Sequence, residues 1–204
     1  IGMMTPQQAP LGEPGADAGH RCFMERIRGY RVQVVNRHPY LKLNTVGSGA
    51  SSQVYKVMGL DFKMYALKQV SYVKVVEDKV QEEIKLMEKL KGDPFVIQIV
   101  EYQSIGNEVY IVMELGETDL SKLLMALQGK DIDMNVIRVY WQQMLRSVSA
   151  VHERAIIHAD LKPQNFVLVN GTLKLIDFGI SKEMHQDSTH VTMGVGVGTP
   201  SYLS

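Results

Sequence analysis

Between Leu41 and Glu114 the hydrophobic pattern changes period twice, and that change limits the folds open to this chain. Residues 41–46 (LKLNTV), 53–57 (QVYKV) and 63–70 (KMYALKQV) interleave β-branched and aromatic residues with polar ones, as half-buried strands do. The glycine turn GSGASS at 47–52 joins the first two runs. From Val75 to Leu90 the period becomes helical: Val76, Val80, Met87 and Leu90 share one stripe, and Gly92 with Pro94 ends it. Two more strands, 95–102 (FVIQIVEY) and 108–114 (EVYIVME), flank a polar turn at Gly106-Asn107. A short strand is expected earlier, at 31–35. The expectation is a mainly antiparallel β lobe carrying one helix.

Past Gly116 the pattern turns helical. Leu120, Leu123, Leu124 and Leu127 form a short amphipathic helix, and Ile137, Trp141, Met144, Val148 and Val151 form the stripe of a longer one. A loop, HADLKPQNF at 158–166, precedes a hairpin whose Asn170-Gly171 pair is the strongest short turn signal available. The last segment, from Asp177, has no period and reads as a long surface loop. The expected class is α+β: a small lobe over about 31–115 and a helical lobe from about 116. Residues 1–30, whose first twenty are rich in Pro, Gly, Gln and Ala, are expected to be a disordered lead-in.

Composition removes several functions. Lys plus Arg and Asp plus Glu both number 22, so no broad field favours nucleic acid or an anionic membrane. No apolar run is long enough to span a bilayer. One cysteine, Cys22, allows neither an internal disulfide nor a cysteine-rich zinc site, which fits an intracellular compartment.

The chemistry gathers at a few positions. GSGASS is either a plain hairpin or a loop whose backbone N–H groups approach a phosphate. No helix follows it, which argues against a dinucleotide fingerprint or a Walker loop. Lys68 lies within an apolar strand, where a lysine ordinarily points to solvent. Glu83 falls on the apolar stripe of the following helix, where an unpaired carboxylate would be costly. Pairing the two explains both misplaced charges, and leaves Glu82 as the solvated residue. Asp160, Asn165 and Asp177 are oxygen donors of the kind Mg²⁺ prefers; Asp177 directly follows an apolar strand that would deliver it to a site, a plain turn carboxylate being the lesser reading. His158, taken alone, is better explained as a satisfied core histidine than as a catalyst.

The order of these signals is more specific than any one of them. Glycine loop, strand lysine, helix glutamate, HxDxKxxN and DFG follow one another as in protein kinases. From about Val34 onward the chain resembles that superfamily. Through GSGASSQVY, HADLKPQNF, NGTLKLIDFGISK and the later VGT it is most similar to the monopolar spindle, or TTK-type, dual-specificity checkpoint kinases. The resemblance implies that the loop Gly47-Ser48-Gly49-Ala50-Ser51-Ser52 covers the phosphates of ATP, with Ser52 in place of a third glycine, and that Val46, Gly47, Ser48 and Gly49 bind the nucleotide. It implies that Lys68, held by Glu83, binds the α- and β-phosphates. Val54 and Ala66 would lie above adenine and Val167 below it. Glu114, Leu115 and Gly116 would form the hinge, with Met113 behind. Asp177 and Asn165 would hold Mg²⁺, Asp160 would take the substrate hydroxyl's proton, and Lys162 would steady the γ-phosphate.

The implied activity is ATP-dependent phosphorylation of protein serine or threonine, and of tyrosine too in a dual-specificity kinase. By the same resemblance it belongs to spindle-checkpoint signalling, in the cytoplasm and nucleus, with kinetochore or spindle proteins as partners. A scaffold that binds ATP or partners without transfer is the alternative, though all five core catalytic residues are present. Ala159 stands where most kinases carry an arginine that docks a phosphorylated loop; its loss should alter regulation rather than chemistry. Candidate loop phosphosites are Ser181, Ser188, Thr189 and Thr192, while Thr199 should contact Asp160 and Lys162. The chain begins with isoleucine and stops at Ser204, where the family continues. It is therefore expected to be an incomplete catalytic domain that folds poorly alone or keeps only a weakly active large lobe, and leaves Ile137, Trp141 and Met144 uncovered.

Overall fold

The computed structural model describes residues 31–49, 51–71, 74–179 and 181–183. The larger sheet contains β1 (Val32–Val35), β2 (His38–Ser48), β3 (Ser52–Met58), β4 (Met64–Ser71), β5 (Ile99–Ile105) and β6 (Glu108–Glu114), in the order β1-β2-β3-β4-β6-β5. All its pairings are antiparallel. A helix, α1 (Lys74–Lys89), crosses between β4 and β5.

The β1–β2 hairpin was not legible in the sequence. Asn36 and Arg37 both take positive φ, 45° and 72°, the conformation of a two-residue turn that matches strand twist. This turn does more than reverse the chain. The Asn36 side chain donates to the Tyr102 carbonyl at 2.9 Å and to Glu101 at 3.1 Å, and the Asn36 N–H donates to Gln103 Oε1 at 2.8 Å. Those bonds bring β1 and β5, the two ends of the strand order, together. One face of the sheet holds Val35, Tyr40, Val57, Leu67, Tyr110 and Val112. The other face packs Val70, Val109 and Ile111 against Val80, Ile84 and Met87 of α1. The Val76 side chain lies outside the described residues.

The expected strand at 95–102 instead begins at Ile99 and runs to Ile105. Its first residues are taken by another element. Leu175 donates to the Phe95 carbonyl at 2.9 Å and accepts from the Ile97 N–H at 3.1 Å. A tertiary partner has overridden the local β pattern.

The second part of the chain contains β7 (Thr118–Asp119), α2 (Leu120–Leu127), α3 (Met134–His152), β8 (Ile156–Ile157), β9 (Phe166–Val169), β10 (Thr172–Leu175) and β11 (Lys182–Glu183). Asp119 and Asp133 cap the two helices, their carboxylates accepting from the N–H groups of Lys122 and Asn135. The Asn170-Gly171 turn is as expected, with both residues at positive φ. It places β9 and β10 in a three-stranded sheet with β7, and β8 pairs with β11. The fold is α+β.

The predicted stripe of α3 divides. Val151 is fully buried and Met144 packs on the core, but Ile137 and Trp141 remain 43% and 59% exposed. Val136, Val139 and Leu145 are also exposed, so this helix presents a broad apolar surface.

Candidate active site

The site forms where β2–β4, the chain leaving β6 and the β8–β10 loops meet. Strand register sets the roof. Gly47 pairs with Val54, Val54 with Lys68 and Lys68 with Ile111. Two residues along β4, Ala66 pairs with Met113. Alternation on a strand puts Ala66 and Lys68 on one face, and cross-strand pairing puts Val54 and Met113 beside them. A register shift between Thr45 and Gly47 leaves Val46 on a bulge, at the start of the glycine loop. Gly49 closes that loop by donating to the Ser52 carbonyl at 2.8 Å, and a Cβ on Gly49 would meet Ser52 Oγ at 2.9 Å. Ser48 ends β2 and is exposed.

Lys68 Nζ donates to Glu83 Oε1 at 2.6 Å, their side chains being 17% and 7% exposed. On its other side lies Asp177 Oδ1, at 4.0 Å. Burial pulls the lysine pKa down, but the charges of Glu83 and Asp177 and the hydrogen bond donated to Glu83 outweigh it, and the net shift is upward. Lys68 is therefore a firmly charged ammonium between a buried carboxylate and a half-exposed one. Glu82, as expected, is exposed.

The catalytic-loop candidates also converge. Lys162 Nζ donates to Asp160 Oδ2 at 2.6 Å. The Asn165 amide donates to the same oxygen at 3.1 Å and to the Asp160 carbonyl at 2.8 Å. Asn165 thus turns its amide nitrogen toward Asp160, and Pro163–Asn165 forms a single 3₁₀ turn that fixes this geometry. Ala159 and Asp177 both have positive φ, 66° and 65°, a conformation costly for residues with a Cβ.

His158 joins the two loops and is a structural residue. Its Nε2–H donates to the Ile176 carbonyl at 2.9 Å, and its Nδ1 accepts from the Asp160 N–H at 3.3 Å. Those bonds fix the neutral tautomer. Burial, foremost among its influences, holds its pKa below 6.5. The Phe178 ring packs edge-on at 5.1 Å, and Ser181 Oγ donates to the His158 carbonyl at 3.0 Å. Ser181 is buried and its hydroxyl is engaged, so it is withdrawn as a loop phosphosite. Ser188, Thr189, Thr192 and Thr199 lie outside the described residues.

Below the roof, Gly116 has a steric reason to be glycine. A Cβ there would sit 2.9 Å from Val167 Cβ, so the connecting segment passes directly over Val167. Leu115 lies between it and Glu114, the first residue of the expected hinge. The Glu114 side chain turns out to accept two contacts from Lys174 Nζ, at 2.9 and 2.7 Å. Lys174 was missed. Its only signal is a charge between two leucines of a short strand, which does not say where the ammonium goes.

Among the described residues no three of His, Cys, Asp or Glu gather to hold a metal by themselves. Carboxylate and amide oxygens from Asp177 and Asn165 fit a cation that takes its remaining ligands from phosphates and water. Among the described residues no helix is long and apolar enough to cross a membrane.

A family model described as "Protein kinase domain" matches residues 40–204. The probable serine/threonine-protein kinase mps1 of Dictyostelium discoideum is 45% identical over 178 residues, covering 85% of this chain and 18% of that protein. Serine/threonine-protein kinase mph1 of Schizosaccharomyces pombe is 43% identical over 207 aligned positions, covering 98% of this chain and 30% of that protein. The dual specificity protein kinase TTK of Mus musculus is 33% identical, covering all of this chain and 23% of that protein. The chain thus spans less than a third of the length of these relatives.

Proposed function

The chain belongs to the protein kinase family, and from that premise we propose that it carries the centre of an enzyme that moves the γ-phosphoryl group of ATP to a protein hydroxyl. The observation that carries this reading is Lys68, charged and held between Glu83 and Asp177. Phosphoryl transfer asks the protein mainly for positioning and for neutralisation of phosphate charge. An ammonium fixed by a buried carboxylate supplies both.

The other residues take complementary roles. Val46, Gly47, Ser48 and Gly49 close over the phosphates. Val54 and Ala66 stack above adenine and Val167 supports it from below. Met113 lines the back of the cleft, and the backbone of Glu114, Leu115 and Gly116 meets the adenine edge. Asp160, oriented by Lys162 and by the Asn165 amide, accepts the hydrogen of the attacking hydroxyl, while Lys162 faces the transferred phosphate. Asp177 and Asn165 would hold Mg²⁺, which when bound neutralises phosphate charge.

Serine or threonine as the acceptor is supported by the names of the Dictyostelium and fission yeast relatives, and tyrosine as a second acceptor by that of the mouse relative. The resemblance to spindle-checkpoint kinases supports kinetochore or spindle proteins as partners, in the cytoplasm and nucleus.

Nucleotide binding provides the test. Calorimetry with Mg·ATP should give one site per chain, weakened at least about tenfold in Lys68→Met, which is about 1.4 kcal/mol. Asp177→Asn should remove the dependence of affinity on Mg²⁺. Equal binding by all three proteins would overturn the assignment.

A further inference from the structure

We propose that Lys174 is a positioning residue for the nucleotide, acting through Glu114 to hold the segment that meets adenine in register with the strand that delivers Asp177. The inference rests on the kinase reading above and adds a residue to it.

Three observations place Lys174 in that role. Its ammonium bonds both carboxylate oxygens of Glu114, and only 11% of its side chain is exposed. Glu114 is held from the other side as well. Its Oε2 accepts the Gln98 N–H at 3.0 Å, and its own N–H donates to the Gln98 carbonyl at 3.0 Å. The next residue of the strand, Leu175, has both backbone groups bonded to Phe95 and Ile97. Lys174, Glu114, Gln98 and Leu175 therefore form one clamp joining β10 to the end of β6.

The position of that clamp gives it consequence. Glu114 is the first of the three residues facing the adenine edge, and Gly116 two residues later passes so close over Val167 that a Cβ there would lie 2.9 Å from Val167 Cβ. On the other strand, Lys174 precedes Asp177 by three residues. Adenine contact and metal carboxylate are thus referenced to one ion pair rather than to two independent loops. A largely buried ammonium paired with a carboxylate whose side chain is 29% exposed contributes little net stability; fixing a single geometry is the better account of why it is there. Without the ammonium, the Glu114 carboxylate keeps only one backbone donor among these contacts and turns outward, and the segment through Gly116 follows.

The experiment compares Lys174→Met and Lys174→Arg with the unsubstituted chain, using Mg·ADP and adenosine as calorimetric probes. Adenosine lacks phosphates, so it reports the nucleoside end of the site without the phosphate contacts. In Lys174→Met both ligands should weaken by about tenfold at unchanged stoichiometry, and Lys174→Arg should stay within about twofold. A merely structural lysine would lower the binding-competent fraction, seen as reduced stoichiometry with Kd unchanged, and that result would overturn the proposal. Unchanged Kd for both ligands in a fully competent Lys174→Met protein would do the same while leaving the kinase reading intact. Failure of the unsubstituted chain to bind either ligand would remove both together.

Discussion

Removing either partner of the Lys68–Glu83 pair should cost far more than removing both. Breaking a buried ion pair leaves an uncompensated charge, at roughly 3–5 kcal/mol. Two features of this site move the singles apart. Lys68 keeps a second carboxylate, Asp177, at 4.0 Å, so Glu83→Gln falls at or below the low end, about 2–3 kcal/mol. Lys68→Met strands Glu83, whose side chain is only 7% exposed, and should cost about 3–4 kcal/mol. With both charges gone, Lys68→Met/Glu83→Gln should return to within about 1 kcal/mol of the parent, since apolar replacement of a buried pair is close to neutral. Urea unfolding followed by circular dichroism gives all four corners of the cycle, with a coupling of at least about 2 kcal/mol expected. Additive single costs would show that the two side chains do not depend on one another and would refute the reasoning. The pH dependence adds a second check. Lys68 has its pKa raised above 10.5 in the folded chain, so its contribution is complete below pH 10.5 and is lost as pH rises through the folded value. The cost of Glu83→Gln should therefore shrink only in strongly alkaline buffer.

Three further outcomes follow from the same geometry. Gly116→Ala puts a Cβ 2.9 Å from Val167 Cβ, so it should destabilise the chain by about 1–3 kcal/mol in urea unfolding, and Val167→Ala in the same chain should restore most of that loss. His158 is held neutral with its pKa below 6.5, so the unfolded chain takes up its proton first and stability should fall as pH drops below that value, by up to ~1.4 kcal/mol per unit. Urea midpoints between pH 7.5 and 5.5 measure this slope, which His158→Gln should flatten. Ala159 sits at φ 66°, where glycine is relaxed, so Ala159→Gly should stabilise the chain by about 0.5–1 kcal/mol in the same titration. A lower midpoint would mean the left-handed turn is not strained.

The parts of the fold legible in the sequence are those where a local signal and tertiary packing agree. Strands β3, β4 and β6, helix α1 and the Asn170-Gly171 hairpin carry strong period or turn chemistry, and each forms close to where expected. The Lys68–Glu83 pairing was legible because each charge is out of place on its own element. Illegible features depend on distant partners. The β1–β2 turn places Arg37 in a left-handed conformation that no arginine prefers, stabilised from β5. Residues 95–97 have the β pattern but are claimed by Leu175. Strands β7, β8 and β11 are two residues each, too short for any period. In α3 the helical stripe was correct, but periodicity cannot say which part of a stripe finds a partner: Met144 and Val151 do, whereas Ile137 and Trp141 stay exposed. Site residues follow the same division. Lys174 and Ser181 act through partners 60 and 23 positions away, and no local spacing announces them.

The central claim, that this site transfers phosphate, is tested most directly by the intact mass of the purified chain after incubation with Mg·ATP and a serine- and threonine-bearing protein acceptor. An Asp160→Asn chain serves as the control. Phosphate is expected on the acceptor or on the chain itself with the parent protein, and none with Asp160→Asn. Equal labelling by both proteins, or nucleotide binding with no phosphate transferred by either, would contradict the claim.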